Sequence, residues 1–281
     1  MAENLGLEST QTITRTDQPM LQLTTFLLLS GATPAPQPAP LLQDETAPAE
    51  AAAKMELPNA ADSDDPALAK MAEFIKSLKI DKSQPRWKTQ LAKPPKLEFT
   101  EGVDYFWNME TNKGVMSFKL FPDVAPMHAS STIFLSRNGF YDNLTFHRVI
   151  PRFMAQGGCP QGSGTGNPGY KYGGEFSKDV RHDRPGLLSM ANAGPETDGS
   201  QFFITFVPTP HLDDKHTIFG AITKGQEVLR TLEAAGSGRG QTTEPLVIKK
   251  TSISLGRAKS AGHKKMDEMK KDEMKKMEDK K

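Results

Sequence analysis

The sequence predicts a mostly β domain, built as a closed or nearly closed antiparallel barrel, with an extension at each end. Short apolar runs separated by loops rich in Gly and Pro fill residues 102–255, and only two segments there have a helical pattern. The chain has 281 residues, of which 36% are hydrophobic and 25% charged. That length and composition suit one core domain plus extensions.

The first 32 residues contain a candidate signal sequence. The apolar run 21–29 is followed by Ser30-Gly31-Ala32, small residues of the kind that signal peptidases cut. Arg15 is the only basic residue before the run. The run is much shorter than the ~20 apolar residues of a bilayer span, so no integral membrane span is expected. We expect export to a periplasm or cell envelope; the alternative is a cytoplasmic protein with an unusual leader.

Between the leader and the main domain, a linker and a short helix are predicted. Residues 33–64 are rich in Ala, Pro and acidic side chains, which favours an extended linker. Asp65 is a candidate N-cap, and Pro66 suits the first helical position. An apolar stripe follows at helical spacing: Leu68, Met71, Ile75 and Leu78. We expect this helix, within 65–102, to dock on the main domain or on a partner.

The main domain, residues 103–257, is predicted from alternating strand and turn signals. Strand-like runs cover 103–109, 115–121, 145–150, 153–156, 187–192, 201–206, 217–222 and 246–255. Asn112-Lys113-Gly114 is a turn signal between the first two runs. Helices are predicted over 123–137, which ends at Asn138-Gly139, and over 226–235.

The C-terminal segment 258–281 is a charged tail. Its last 19 residues hold eight Lys and six Asp or Glu, with four Met side chains roughly on one side of a helix. A solvated, partly helical tail is the simplest interpretation. A Met-faced helix that binds a partner, or metal binding through thioethers, are the alternatives.

Composition excludes several classes of function. Thirty-five basic against 34 acidic residues argue against nucleic acid as a partner. Cys159 is the single cysteine, so neither an intramolecular disulfide nor a multi-cysteine metal site can form. No metal site is expected at His211 and His216, which lie five residues apart and share no helix face.

Two further patterns are misleading. Residues 164–169 fit G-x-G-x-x-G, but Pro168 and the following 170–174 prevent the helix that dinucleotide binding requires. The loop is better interpreted as backbone that bends sharply. Ser189 and Ser200 lack the context of a nucleophile elbow, so a hydrolase is not predicted.

Three segments combine large apolar side chains with a few polar ones: 145–158, 189–195 and 199–205. Arg148 lies in an otherwise apolar strand, which is unfavourable unless its head group is paired or faces a cleft. Gln201 and Phe203 are two residues apart and share one face of a strand. This mixture is typical of a site that holds one small ligand.

In sequence order, FHRVIPRFMAQGG, SMANAGP, GSQFFIT and LDDKHTIFG resemble the motifs of the cyclophilin-type peptidyl-prolyl isomerases. The resemblance covers residues 105–256. It implies an eight-stranded antiparallel barrel capped by two α-helices, with the active groove on its outer face. The short connection 139–143 is similar to that of the compact bacterial branch.

The resemblance also implies roles for individual residues. Arg148 would be the principal catalytic group. The implied substrate-binding residues are of four kinds: Phe153, Met154, Phe203 and Leu212 in a proline pocket, Gln156, Asn192 and Gln201 as polar contacts, Gly164, Ala191 and Ala193 shaping the groove, and His216 closing one side. His211, directly before Leu212, is also an implied substrate-binding residue. It stands where many eukaryotic members have Trp, which implies weak cyclosporin binding.

The expected function is therefore peptidyl-prolyl cis-trans isomerisation of proline-containing polypeptides, assisting protein folding. No bond breaks in this reaction, so no cofactor or metal is expected. The protein is expected to be a monomer. Two alternatives are a non-catalytic module that binds proline peptides and a scaffold that acts through the N-terminal helix and the C-terminal tail.

Overall fold

The computed structural model describes residues 57–257. The predicted leader 1–32, most of the predicted linker and the tail 258–281 lie outside the described residues, so those interpretations stay predictions. Within the described range, no helix is both long enough and apolar enough to cross a membrane.

A single curled antiparallel sheet forms the domain. Its strands are β1 (Val103–Thr111), β2 (Gly114–Leu120), β3 (Leu144–Thr145), β4 (Arg148–Ile150), β5 (Met154–Gly157), β6 (Leu187–Met190), β7 (Phe202–Thr205), β8 (Ile218–Lys224) and β9 (Val247–Arg257). They lie in the order β3-β9-β1-β2-β8-β6-β7-β5-β4. The fold class is as predicted, but the described sheet is a half-barrel of nine strands rather than an eight-stranded barrel.

The ninth strand arises because the predicted strand 145–150 is split in two. Its first part pairs with β9, and the backbone N–H of Phe146 donates to the carbonyl of Leu246. The second part pairs with β5, while the N–H of Val149 donates to Gly240. The run therefore forms both edge strands of the sheet, β3 and β4. No pattern of side chains within the run could indicate this division.

Within residues 57–257, three α-helices accompany the sheet: α1 (Pro66–Ser77), α2 (Pro126–Arg137) and α3 (Gln226–Ala234). Helix α2 packs on β9 and is buried along almost its whole length. Helix α3 packs on β2, β4 and β5 and buries Val228, Leu229 and Leu232. Both begin at or within three residues of their predicted starts.

Helix α1 is part of the domain. Oδ1 of Asp65 accepts hydrogen bonds from the N–H groups of Ala67 and Leu68, at 2.9 and 3.2 Å, as an N-cap does. The side chain of Met71 is 1% exposed and belongs to the main core. The ring of Phe74 lies 5.7 Å from that of Phe134 in α2. Two docking sites were possible for this helix, the main domain or a partner. In the structure it packs on the main domain.

The last residues of the predicted linker differ from the prediction. Leu57 and Ala60 are buried, and the N–H of Ala60 donates to the carbonyl of Ile253 in β9 at 2.7 Å. The carbonyl of Pro58 accepts from the hydroxyl of Ser252 at 2.8 Å. Residues 57–60 thus belong to the domain and not to an extended linker, because they hydrogen-bond to β9 and bury apolar side chains.

The core lies on the inner face of the curled sheet. Trp107 of β1 contacts Phe118, Tyr141 and Phe202, with ring centroids 5.0–6.0 Å apart. Successive strand residues point to opposite faces. Because Phe202 points into the core, its neighbour Phe203 points to the outer face, where the candidate site lies.

Candidate active site

A row of side chains crosses three strands on the outer face of the sheet. Arg148 of β4 is paired in register with Gln156 of β5, and Gln156 is paired with Phe203 of β7. Residues directly opposite each other on neighbouring strands share a face. The strands thus bring together one cation and one amide from the motif 146–158 and one aromatic ring from the motif 199–205.

Arg148 lies at the exposed end of this row. Its Nη1 donates to Oε1 of Gln156 at 3.2 Å, and its guanidinium carbon lies 6.0 Å from the centroid of the Phe153 ring. These contacts hold the guanidinium beside an aromatic side chain. The head group remains accessible to a ligand because Arg148 is exposed.

Four apolar residues adjoin Arg148 and Gln156, and we name them the notch: Phe153, Met154, Phe203 and Leu212. Phe153 contacts Arg148, while Met154 lies two residues from Gln156 in β5 and so shares its face with Gln156 and Phe203. Met154 and Phe203 are buried, and Phe153 and Leu212 are half-buried. The ring of His211, next to Leu212, stacks on Phe153 at 5.9 Å. Met154 belongs to β5, Phe203 to β7 and Leu212 to a single helical turn, Pro210–Leu212. The notch therefore combines residues from three separate elements.

His216 lies against the notch. Its ring meets that of Phe203 edge-on at 5.5 Å, and its backbone N–H donates to the carbonyl of Leu212. The ring Nδ1 lies 2.9 Å from the carbonyl oxygen of Met190. Since a carbonyl can only accept, Nδ1 carries the proton. The ring is thereby held in one orientation at the side of the notch.

A cavity of about 280 Å³ adjoins Gln156, and we name it the polar cavity because Gln, Asn, Thr and Ser residues predominate over the alanines in its wall. Six of the predicted residues line it: Gln156, Gly164, Ala191, Asn192, Ala193 and Gln201. Nε2 of Gln156 donates to Oε1 of Gln201 at 3.2 Å, and Nε2 of Gln201 donates to the carbonyls of Gly164 and Gly166 at 2.8 Å each. Hydrogen bonds therefore run from Arg148 through two amides to the cavity wall.

Sequence reasoning missed the other residues of the cavity wall: Thr165, Gly166, Asn167, Lys171, Thr197, Gly199 and Ser200. Three of them belong to the loop 164–169, whose composition predicts sharply bent backbone. Gly164 and Gly169 have φ values of +85° and +106°. The bends could be predicted from composition, but the loop's place beside the site could not.

Cys159 supports the same loop. Its Sγ accepts a hydrogen bond from the N–H of Gly164 at 3.3 Å. Burial raises the pKa of this thiol, but hydrogen bonds from backbone N–H groups outweigh burial and the net shift is downward. The side chain is buried, so its contacts are with the loop.

His182 is a second residue that sequence reasoning missed. Its ring stacks on Phe203 at 6.1 Å, with Nδ1 2.8 Å from Oδ1 of Asp213 and Nε2 3.0 Å from Oγ of Ser189. Burial lowers the pKa of His182, and the contact with Asp213 offsets only part of that shift. The ring therefore supports the notch from behind as a neutral group. No sequence motif marked it.

Comparison with known proteins agrees with this geometry. The family model described as "Cyclophilin type peptidyl-prolyl cis-trans isomerase/CLD" matches residues 106–253. That is more than half of the chain, so the protein belongs to the cyclophilin-type peptidyl-prolyl cis-trans isomerase family.

Relatives come from several kingdoms. "Peptidyl-prolyl cis-trans isomerase cyp15" of Rhizopus delemar is 49% identical over 141 residues, covering 49% of this chain and 22% of that protein. "Probable peptidyl-prolyl cis-trans isomerase A" of Mycobacterium bovis is 42% identical over 164 residues, covering 52% of this chain and 90% of that protein. The chain thus spans about a fifth of the longer relative and most of the shorter one.

Solved structures show the same fold. A crystal structure of a cyclophilin type peptidyl-prolyl cis-trans isomerase from Cryptosporidium parvum is 34% identical, with a TM-score of 0.52. The matched region covers 54% of this chain and 98% of the Cryptosporidium chain. A crystal structure of the same protein in the presence of the dipeptide Ala-Pro is similar, with a TM-score of 0.51.

Proposed function

We propose that this protein is a peptidyl-prolyl cis-trans isomerase that assists folding by accelerating rotation about X-Pro bonds. The observation that carries the proposal is the placement of Arg148. Its guanidinium is exposed, contacts Gln156 and lies over Phe153, beside an apolar notch. A cation next to apolar side chains that can hold the proline ring is what this reaction requires.

The X-Pro amide rotates over a barrier of about 18–20 kcal/mol because its C–N bond has partial double-bond character. In the twisted state the lone pair of the proline nitrogen leaves conjugation and can accept a hydrogen bond. A guanidinium aimed at that nitrogen stabilises the twisted state more than the planar one, and so lowers the barrier. No proton, metal or covalent intermediate is needed.

The expected magnitudes fit this site. An acceleration of about five decades corresponds to roughly 7 kcal/mol. A charged hydrogen bond in a partly dry groove contributes about 3 kcal/mol. Holding the proline ring in the notch while the preceding carbonyl swings would supply the rest. Arg148 is therefore the proposed catalytic residue, with the notch as the proposed proline pocket.

The polar cavity beside the notch is the proposed binding site for the substrate residues that flank the proline. Gln156 and Gln201 place amide side chains there, Asn192 offers its backbone N–H and carbonyl, and Ala191 and Ala193 leave room for an extended backbone. The similar Cryptosporidium protein, crystallised in the presence of Ala-Pro, supports proline peptides as the ligand class.

Substitution of Arg148 tests the proposal. We expect Arg148→Ala to lower kcat/KM for a proline tetrapeptide by about 100-fold, the equivalent of 2.7 kcal/mol, with the thermal midpoint unchanged. Arg148→Lys keeps the charge but loses the planar fork, and should be intermediate. Retention of wild-type activity by Arg148→Ala would refute the assignment. A wild-type protein that binds the peptide without isomerising it would indicate a docking module instead.

Finer features of the protein are proposals as well. The connection 139–143 and the 90% coverage of the Mycobacterium relative support a compact, bacterial-like branch. His211 supports weak cyclosporin binding, and His211→Trp should tighten inhibition. We also propose a monomer, which light scattering of the full chain would test.

Residues 1–32 support export to a periplasm or cell envelope. The N-terminal sequence of the purified mature protein tests this: a start at Thr33 agrees with cleavage of a signal peptide, whereas a start at Met1 contradicts it.

A further inference from the structure

A cluster of three ionisable side chains, two of them buried, lies behind the polar cavity. His128 of α2 is completely buried, and its two ring nitrogens face two carboxylates. Nδ1 lies 2.7 Å from Oε2 of Glu175, and Nε2 lies 2.9 Å from Oδ2 of Asp198. We name His128, Glu175 and Asp198 the His128 cluster.

The cluster holds His128 in its doubly protonated form. A neutral imidazole has one N–H, whereas both of these nitrogens must donate to a carboxylate oxygen. Burial alone would lower the pKa of His128, but hydrogen bonds to Asp198 and Glu175 outweigh it and the net shift is upward. The ring of Tyr172 also meets His128 edge-on at 4.9 Å. Burial raises the pKa of the Tyr172 hydroxyl well above its usual range, so this group stays neutral.

Asp198 connects the cluster to the cavity wall. Its second oxygen, Oδ1, accepts a hydrogen bond from Nδ2 of Asn192 at 2.9 Å. Nδ2 of Asn192 also donates to the carbonyl of Lys215, and Oδ1 of Asn192 accepts from the N–H of Gly194. The side chain of Asn192 is thus fully engaged with the protein.

The peptide groups of Asn192 are free by contrast. Within residues 57–257, neither its backbone N–H nor its carbonyl has a hydrogen-bond partner, although the residue lines the cavity. An extended peptide in the cavity could pair with these two groups. Their position depends on the Asn192 side chain, and therefore on Asp198.

We propose that His128 and Asp198 are positioning residues, which hold Asn192 so that its backbone can bind the chain that flanks the substrate proline. This inference rests on the proposed function, because it assigns Asn192 a substrate contact. His128 and Asp198 act on substrate binding and not on the twist of the amide, so they should affect KM and leave kcat unchanged.

Two substitutions of one residue separate positioning from packing. Asp198→Ala removes the acceptor for Asn192, and we expect KM for a proline tetrapeptide to rise about tenfold with kcat unchanged. Asp198→Asn keeps an acceptor for Asn192, while its amide NH₂ can donate to a neutral His128. Its KM should therefore stay well below that of Asp198→Ala. A purely structural role would lower the thermal midpoint without this split in KM.

The pH profile supplies a second measurement. In the wild type, deprotonation of His128 leaves one ring nitrogen as a lone pair against a carboxylate. We expect KM to rise as the pH increases from 6.5 through the raised pKa of His128. Asp198→Asn should not show this rise, because its cluster is satisfied by a neutral ring. Both profiles are measured in a Cys159→Ser background. The Cys159 thiol has a lowered pKa and contacts Gly164 of the same cavity, so its titration would otherwise contribute to the profile.

The outcomes distinguish this inference from the proposed function. Equal KM values for Asp198→Ala and Asp198→Asn, or equal pH profiles for Asp198→Asn and the wild type, would overturn the positioning role while leaving isomerase activity intact. If the wild type proves inactive, the proposed function fails. NMR then decides the positioning role in the full chain: the Asn192 side-chain amide must shift with the same midpoint as the His128 ring, and independent midpoints would overturn it.

Discussion

Substitution of Gly240 by alanine tests how closely the position of Arg148 is constrained. A Cβ atom at Gly240 would lie 2.8 Å from Cγ of Arg148 and 3.6 Å from both Cδ and Nε. Carbon atoms in favourable contact lie about 3.5–4.0 Å apart, so the side chain would have to move by about 1 Å. The contact is at the base of the side chain, so the whole guanidinium moves with it.

A displacement of about 1 Å at a reacting group can lower the rate by about 100-fold. We expect Gly240→Ala to lower kcat/KM by about 10- to 100-fold. The substitution also strains the backbone, because Gly240 has φ +86° and a left-handed conformation is unfavourable by about 1–2 kcal/mol for other residues. For a domain of this size, that corresponds to a decrease of roughly 2–8 °C in the thermal midpoint.

Gly102→Ala is the matched control. Gly102 has φ +75°, and a Cβ there would meet no atom within 4 Å. Both variants should lose similar stability, but only Gly240→Ala should lose activity in a protease-coupled assay of a proline tetrapeptide. In an Arg148→Ala background, Gly240→Ala should have no further effect on kcat/KM. Equal activity of the two glycine variants, or an additive loss in the double variant, would show that Gly240 does not act through Arg148.

Two further predictions concern stability. Met71→Ala should lower the free energy of unfolding in urea by about 2–5 kcal/mol while isomerase activity is retained, because Met71 is buried in the main core; the exposed Lys70→Ala is its control, and equal effects of the two would contradict the docking of α1. Burial lowers the pKa of His182, so the unfolded chain binds its proton more readily and stability should fall as the pH drops below 6.5. Thermal unfolding of His182→Asn should show a weaker loss over the same pH range, and an unchanged acid loss would assign it to other groups.

Elements with strong local signals were predicted well. Helix α1 followed from Asp65, Pro66 and an apolar stripe, all within one segment, and the β1–β2 turn followed from Asn112-Lys113-Gly114. The prediction of one strand over 145–150 was wrong, because its two halves form two strands that pair with different partners, β9 and β5. Such a break depends on the partners that the chain meets, and nothing within the six residues encodes it.

The site was predicted unevenly for the same reason. Arg148, Gln156 and Phe203 could be named because the family resemblance covers the motifs that contain them. Gly240 lies far from those motifs, and its role depends on the approach of β4 to the loop after α3. The His128 cluster joins a helix, a loop and the cavity wall from three distant segments, so no spacing in the sequence could indicate it.

The distribution of charge in the domain fits a reaction that transfers no proton. Two histidines, His128 with its two carboxylates and His182 with Asp213, lie behind the site, and both histidine rings are buried. His211 and His216 lie at the notch. The permanently charged group at the notch is Arg148, whose guanidinium stays protonated at every pH of interest. A change of pH should therefore alter the hydrogen bonds of His128 and His182 that support the site, and with them KM and stability. The charge of the group that stabilises the twisted amide should not change. A kcat that followed the titration of either histidine would contradict this division, because it would require a proton-dependent step in the twist itself.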